Sequence, residues 1–261
     1  MVEKKDDIIR QMVRNQYGKV AAGCGCGSSC CGGAEASVDR LTQLKGYTDK
    51  EISGIVEGAD LGLGCGNPAA IGKLKPGETV LDLGSGAGFD CFIAARQVGE
   101  KGRVIGVDMT PEMLSKAREN AVRMGMKNVE FRLGEIEHLP VPDSSIDVIF
   151  SNCVINLSPE KRQVFSETYR VLKPGGRLAI SDVVATGPMP DAFHEQPALL
   201  TCCVSGAEQI GCIRQMLEDV GFVDIRIDIK PHSKEMIRGW FPGSGVENFV
   251  ASADIEAVKP G

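Results

Sequence analysis

The sequence predicts an α/β fold with a mostly parallel sheet and right-handed crossovers, on three observations. Between residues 79 and 182 short apolar runs alternate with stretches of helical period. The first apolar run ends in a glycine turn that opens directly onto a helix. The 261-residue length, with 43% hydrophobic and 25% charged residues, allows one large domain, or a domain plus a smaller lobe, with a real core.

Residues 1–22 carry a helical pattern with Ile8, Ile9, Met12 and Val13 on one face, ending near Gly18. Gly23-Cys24-Gly25-Cys26-Gly27-Ser28-Ser29-Cys30-Cys31-Gly32-Gly33 is too glycine-rich for helix or strand and reads as a cysteine-bearing loop. Thr48 is an N-cap for a short helix to about residue 57, and a second glycine-rich stretch covers 62–68. Strands are expected over 79–83, 103–107, 129–133, 146–150 and 177–181. Between them lie helices over 92–95, from Pro111 at a first helical position to Gly125, and from Ser158 to Leu172. Residues 187–206 are punctuated by proline and cover the sheet. A helix over 207–220 and strands over 223–229 and 248–258 follow, the strands as an antiparallel pair at the sheet edge.

Composition excludes several partners. The net charge is −6, from 29 Lys and Arg against 35 Asp and Glu, and the basic residues form no patch, so nucleic acid is not a partner. The charged N-terminus leads into no apolar signal region and no run approaches a membrane span, which gives a cytoplasmic, reducing location as the expectation. His138, His194 and His232 are far apart, match no metal motif and read as surface or loop residues. Cysteine is the outlier: ten is too sparse for a stapled secreted scaffold and more than packing needs.

The turn after the first strand reads Asp82-Leu83-Gly84-Ser85-Gly86-Ala87-Gly88, and Asp108 ends the second strand twenty residues on. Glycines let a ligand approach the backbone at a helix N-terminus, and an acid at that offset accepts from ribose hydroxyls. A nucleoside-containing ligand is expected. The spacing G-x-G-x-G differs from the dinucleotide pattern. With Leu139-Pro140-Val141-Pro142-Asp143-Ser144-Ser145-Ile146-Asp147-Val148 and Tyr169-Arg170-Val171-Leu172-Lys173-Pro174-Gly175-Gly176, it resembles the class I S-adenosylmethionine-dependent methyltransferases. The resemblance implies that Gly84, Ser85 and Gly86 approach the methionyl and ribose portion, Asp108 holds the ribose diol, and Met109 flanks adenine. It further implies that Asp82 shapes the site, that Ile136 lies against the ring and that Glu137 nears the exocyclic amine. A plain loop acid is the other reading of Glu137.

Methyltransferases of this fold serve many acceptors, so the acceptor must be read from other residues. Cys153 follows the fourth strand in Ser151-Asn152-Cys153-Val154-Ile155-Asn156-Leu157, at the sheet edge where open α/β folds place their sites. Cys65 and Cys203 can come over the same crevice. Three thiolates without histidine suit a soft, thiophilic centre; zinc, the competing ion, asks for a fourth ligand and C-x-x-C pairs. Leu63-Gly64-Cys65-Gly66-Asn67-Pro68, the Cys153 segment, Cys203-Val204-Ser205-Gly206-Ala207, Gln16-Tyr17-Gly18 and Val250-Ala251-Ser252-Ala253-Asp254-Ile255 together resemble the arsenite methyltransferases.

That resemblance implies a Rossmann-like class I methyltransferase with a mostly parallel seven-stranded sheet and a smaller C-terminal arsenic-binding lobe. Its segments would be 1–65, helical and Cys-rich; 66–185, binding S-adenosylmethionine; and 186–261, completing the arsenic site and the sheet edge. Arsenite or methylarsenite would be held by Cys65, Cys153 and Cys203, with Cys202 the neighbour that blurs the third position. Tyr17 and Asn152 join the cofactor residues. Cys30 and Cys31 would relay reducing equivalents from a thiol reductant, thioredoxin or glutathione, through a disulfide to Cys65. A metal-binding loop is the alternative for Cys24, Cys26, Cys30 and Cys31. Cys91 and Cys212 read as core residues. The competing functions are a methyltransferase acting on carbon or oxygen of a quinone-like acceptor, and a non-enzymatic metalloid-binding protein.

Overall fold

The computed structural model describes residues 2–23, 45–190, 203–231, 233–240 and 243–261. Among them, seven strands form one sheet: β1 (Thr79–Leu83), β2 (Arg103–Asp108), β3 (Val129–Leu133), β4 (Ile146–Asn152), β5 (Leu172–Ala185), β6 (Val223–Ile229) and β7 (Val250–Val258). Their order is β3-β2-β1-β4-β5-β7-β6. The first five are parallel, and β7 runs antiparallel to both its neighbours, as the edge pair predicts. The helices are α1 (Val2–Ala21), α2 (Asp49–Ile52), α3 (Pro68–Gly72), α4 (Phe89–Val98), α5 (Pro111–Arg123), α6 (Lys161–Val171), α7 (Ile210–Val220) and α8 (Ser233–Trp240). None is long and apolar enough to cross a membrane.

Alternation along the strands builds two core layers. Val80, Val104, Val148 and Phe150 pack on one face with Phe92 and Ala95 of α4 and Leu114 of α5. Leu81, Leu83, Ile105 and Ile149 pack on the other with Val164 and Phe165 of α6 and Leu217 of α7. The strand ends that carry the glycine turn, Asp108 and Asn152 are therefore fixed from both sides.

Several bounds differ from expectation for identifiable reasons. α1 runs past Gly18 to Ala21, because the Lys116 Nζ donates to the Ala21 carbonyl at 3.2 Å and closes the helix end. Its buried face is also rotated: Ile8 is exposed, whereas Arg10 and Val13 are buried against the sheet domain. α2 stops at Ile52 rather than near 57, since Arg96 takes the carbonyls of Ser53 and Gly54 at 2.6 and 2.8 Å. β5 is longer than 177–181: β7 pairs along it as far as Ala185, and at its start Leu172 pairs with Ile146 of β4. α7 begins at Ile210, and Cys212 is exposed, not core: the buried stripe of that helix is Ile213, Met216 and Leu217. Cys91 is fully buried as expected. The short α3, capped by the Asn67 side chain on the Ala70 amide at 3.1 Å, was not foreseen.

Leu81, fully buried at the centre of β1, tests this layering. Leu81→Ala should cost about 3 kcal/mol in urea denaturation; a loss below about 1 kcal/mol contradicts a close-packed sheet centre.

Candidate active site

The strand order reverses at β1, so the loops after β1 and β4 part and open a cleft. The amides of Gly84 and Ser85 donate to the Val107 carbonyl at 2.8 and 3.0 Å, folding the turn back over β2. Gly84 has φ +71°, and a Cβ there would run into Val154 of the loop after β4. Glycine is required for this close approach. The Asp108 carboxylate accepts from the Gly86 amide at 2.9 Å and the Thr110 amide at 2.8 Å, which holds it at the cleft wall. Burial raises its pKa above the usual carboxylate value, and these backbone donors oppose the rise.

Met109, Met113 and Ile136 line an apolar wall beside Asp108, while Val13 and Tyr17 of α1 line the cleft from the N-terminal helix. Glu137 lines it too; its Oε1 accepts from the Ser158 hydroxyl at 2.6 Å and the Arg10 Nε at 3.4 Å. This set suits a nucleoside joined to an amino-acid tail: an acceptor for a diol, backbone open to close approach at glycines, and an apolar slot.

Two expected cofactor residues, Asp82 and Ser85, do not line the cleft. Asp82 lies beneath the turn, accepting from the Cys91 thiol at 3.1 Å, and burial together with Asp90 pushes its pKa well up. Ser85 is buried with its hydroxyl unpartnered. Both shape the turn from behind.

Asn152 joins the cleft to the thiols. Its Oδ1 accepts from the amides of Cys65 at 2.9 Å and Gly66 at 3.3 Å. Its Nδ2 lies 2.8 Å from the Gly66 carbonyl, 3.1 Å from Asp90 Oδ2 and 3.1 Å from the Tyr47 hydroxyl, which itself donates to Asp90 Oδ1 at 2.5 Å. Burial raises the Asp90 pKa to about 6 against these hydrogen bonds.

Cys65 and Cys153, 88 residues apart, are joined as a disulfide with Cα atoms 6.1 Å apart. The Cys203 thiol donates to the Cys153 carbonyl at 2.7 Å, and its sulfur lies within 4.8 Å of the Cys153 sulfur and of an Asp182 carboxylate oxygen. Cys153 and Cys203 line the cleft. Both adopt left-handed backbone, φ +57° and +62°, an uncommon conformation for residues with a side chain and one that collects at functional sites. Asp182 and Asn156 hold them there. The Asp182 carboxylate accepts from the Ile155 amide at 3.0 Å, the Asn156 Nδ2 at 3.0 Å and the Val183 amide at 2.7 Å. The same Asn156 Nδ2 reaches the Cys203 carbonyl at 3.1 Å.

The expectation that a disulfide links Cys65 to the N-terminal loop meets a different partner here, Cys153. Cys24, Cys26, Cys30, Cys31 and Cys202 lie outside the described residues, as do His194 and His232; His138 is exposed.

Residues 74–221 match the family described as Methyltransferase domain. An arsenite methyltransferase of Halobacterium salinarum is 50% identical across the whole of this chain, which covers 69% of that relative. The chain belongs to the arsenite methyltransferase family. A second member, from Aquipseudomonas alcaligenes, is 40% identical over 84% of the chain, which spans 63% of that protein's length. Among solved structures, an arsenic(III) S-adenosylmethionine methyltransferase of Chlamydomonas reinhardtii matches with TM-score 0.62 and 34% identity, over 87% of this chain and 75% of that one. The sheet and its helices are thus those of a class I S-adenosylmethionine-dependent methyltransferase.

For this family member, sequence reasoning missed Arg10 and Val13 in the cleft and the supports Tyr47, Asp90, Asn156 and Asp182. Arg10, Val13 and Tyr17 follow i, i+3, i+7 spacing, a signal that was legible had a charged residue been admitted to the buried face.

Asp182 is raised to about 6, first by burial, with its backbone donors opposing. The folded chain therefore binds this proton more tightly than the unfolded chain, so its contribution to stability is full below about pH 4 and is lost as pH rises to about 6. In urea denaturation across that window, the stability of the wild type minus that of Asp182→Asn should fall with pH and then level off. A difference that rises with pH would contradict the buried site.

Proposed function

We propose that the protein transfers the methyl group of S-adenosylmethionine to trivalent arsenic held by the thiolates of Cys65, Cys153 and Cys203. One observation carries the reading: Cys153 and Cys203 line the same cleft as Gly84, Gly86 and Asp108, and Cys65 is bonded to Cys153. Donor and acceptor sites that open into each other are what direct transfer requires. The soft donor set supports a thiophilic centre, and the relatives' names, arsenite methyltransferases, point to the same substrate.

Asp108 would accept from the ribose hydroxyls, the bare backbone at Gly84 and Gly86 would admit the methionyl and ribose portion, and Met109 and Ile136 would flank the adenine. Glu137, already tied to Ser158 and Arg10, would stand near the exocyclic amine. Bound there, S-adenosylmethionine supplies an electrophilic methyl on a sulfonium, and thiolate-held arsenic keeps the lone pair that attacks it. The acceptor has no proton to lose, so the site needs no general base. The work left to the chain is orientation and exclusion of water. Asn152 aims the Cys65 loop, Asp182 and Asn156 aim Cys153 and Cys203, and α1 covers the cleft with Arg10, Val13 and Tyr17.

Transfer leaves arsenic formally pentavalent. Returning it to the trivalent state takes two electrons, which two site thiols give up as they form a disulfide; the Cys65–Cys153 pair suits this role. A thiol reductant, thioredoxin or glutathione, with Cys30 and Cys31 as relay, would reopen that bond in a reducing cytoplasm. Arsenic detoxification is the consequence for the cell.

Cys65→Ser, Cys153→Ser and Cys203→Ser should each abolish formation of methylated arsenicals from arsenite, S-adenosylmethionine and a thiol reductant. Calorimetry should find cofactor binding within about threefold of the wild type, because none of the three thiols holds the nucleoside. Full activity in any one of them sinks the three-thiol site.

A further inference from the structure

The two sulfurs of the Cys65–Cys153 bond sit in unlike surroundings. Cys153 lines the cleft, whereas Cys65 is 1% exposed and lies behind it. On that buried side the Ser181 hydroxyl stands 3.7 Å from the Cys65 sulfur. Ser181 in turn receives a hydrogen bond from the Lys230 ammonium at 2.7 Å, and Lys230 is tethered by Asp254 at 2.8 Å.

The direction of these bonds follows from proton counting. An ammonium only donates, and a sulfur in a disulfide has no proton. The Ser181 oxygen accepts from Lys230, so its own proton is the one available to Cys65 Sγ. The register places this chain of groups with care: Asn152, Ser181 and Asp254 stand side by side on β4, β5 and β7, and Lys230 follows the end of β6. The Cys65 carbonyl is pinned as well, by Lys230 at 3.4 Å and the Ser252 hydroxyl at 3.3 Å. No side chain fits at Gly66, where a Cβ would run into Lys230 Nζ and Ser181 Oγ.

We infer that Ser181, oriented by Lys230, makes Cys65 the leaving sulfur when a thiol that enters through the cleft, rather than the Cys30–Cys31 relay, reduces the Cys65–Cys153 bond. An incoming thiolate attacks Cys153 Sγ from the cleft. A new bond forms between the reductant and Cys153, and the electron pair of the old bond departs on Cys65 as thiolate, where the Ser181 hydroxyl stabilises it. A second thiol of the reductant then attacks the reductant's own sulfur in that mixed disulfide and releases Cys153 as thiolate. The reductant ends as its disulfide and the protein has two thiols. Ser181 is a catalytic residue for this step, because it touches a reacting atom; Lys230 and Asp254 are positioning residues. The step needs neither arsenic nor cofactor, so its failure leaves the methyl-transfer reading untouched.

The test is the regiochemistry of opening. Full-length protein carrying Cys203→Ser together with Cys24→Ser, Cys26→Ser, Cys30→Ser, Cys31→Ser and Cys202→Ser, which lacks the thiols that could compete for the bond or resolve the adduct, is oxidised and the Cys65–Cys153 link is verified by peptide mapping. It is then exposed briefly to 2-mercaptoethanol, quenched in acid, and the mixed disulfide is located by mass spectrometry. The adduct should sit on Cys153 over Cys65, because both access from the cleft and the Ser181 hydrogen bond favour it, and the share of the hydrogen bond to the charged leaving group should be about tenfold. Adding Ser181→Ala or Lys230→Met should carry the ratio toward parity, and Lys230→Arg should keep it. A merely structural role would change the yield of folded protein without changing which sulfur is attacked. Failure of the Cys65–Cys153 link to form, an adduct mainly on Cys65, or a ratio unmoved by both Ser181→Ala and Lys230→Met overturns the inference.

Discussion

At the end of β4 one amide side chain, that of Asn152, faces two ways. Its oxygen takes the backbone donors of Cys65 and Gly66, and its nitrogen reaches the Gly66 carbonyl, Asp90 and the Tyr47 hydroxyl. Asp90 belongs to the first turn of α4, the helix that follows the glycine turn, so the same amide ties the cofactor side of the cleft to the thiol side. In a buried site each of these groups would be costly to leave unpaired. The network therefore holds the Cys65 loop against the sheet without any help from the ligand.

The other half of the thiol site depends on a second buried carboxylate. Asp182 accepts from the turn that follows Cys153, and Asn156 passes the restraint on to the Cys203 carbonyl. Left-handed backbone at both cysteines is the consequence of that restraint. Strain of this kind persists only when the surroundings over-determine it. It points two thiols into a cleft from loops 50 residues apart. The Ser181–Lys230 pair completes the set by attending to the third sulfur from behind.

Much of this was legible in the chain. β1, β3 and β6 keep the bounds that apolar runs and turn residues predict, since those signals are local. The glycine turn, Asp108 and Cys153 come together because sheet topology brings them to one edge, and Cys203 joins them from the segment after β5, held through Asn156. What escaped depends on non-local partners. β5 lengthens because β7 returns beside its end and Leu172 pairs with β4 at its start, and α2 is cut short by an arginine on a later helix. Arg10 is buried where Ile8 was expected, because Glu137 and Glu160 offer it partners that no helical pattern reveals. The Cys65–Cys153 pairing and its Ser181 neighbour join positions with no spacing signature at all.

The central claim is that one soft centre is held by three sulfurs from loops after β4, before β1 and after β5. X-ray absorption at the arsenic edge reads it directly, on fully reduced protein loaded with one equivalent of arsenite. The account predicts a first shell of three sulfur neighbours with no oxygen retained. A shell of two sulfurs and an oxygen at saturation would contradict it.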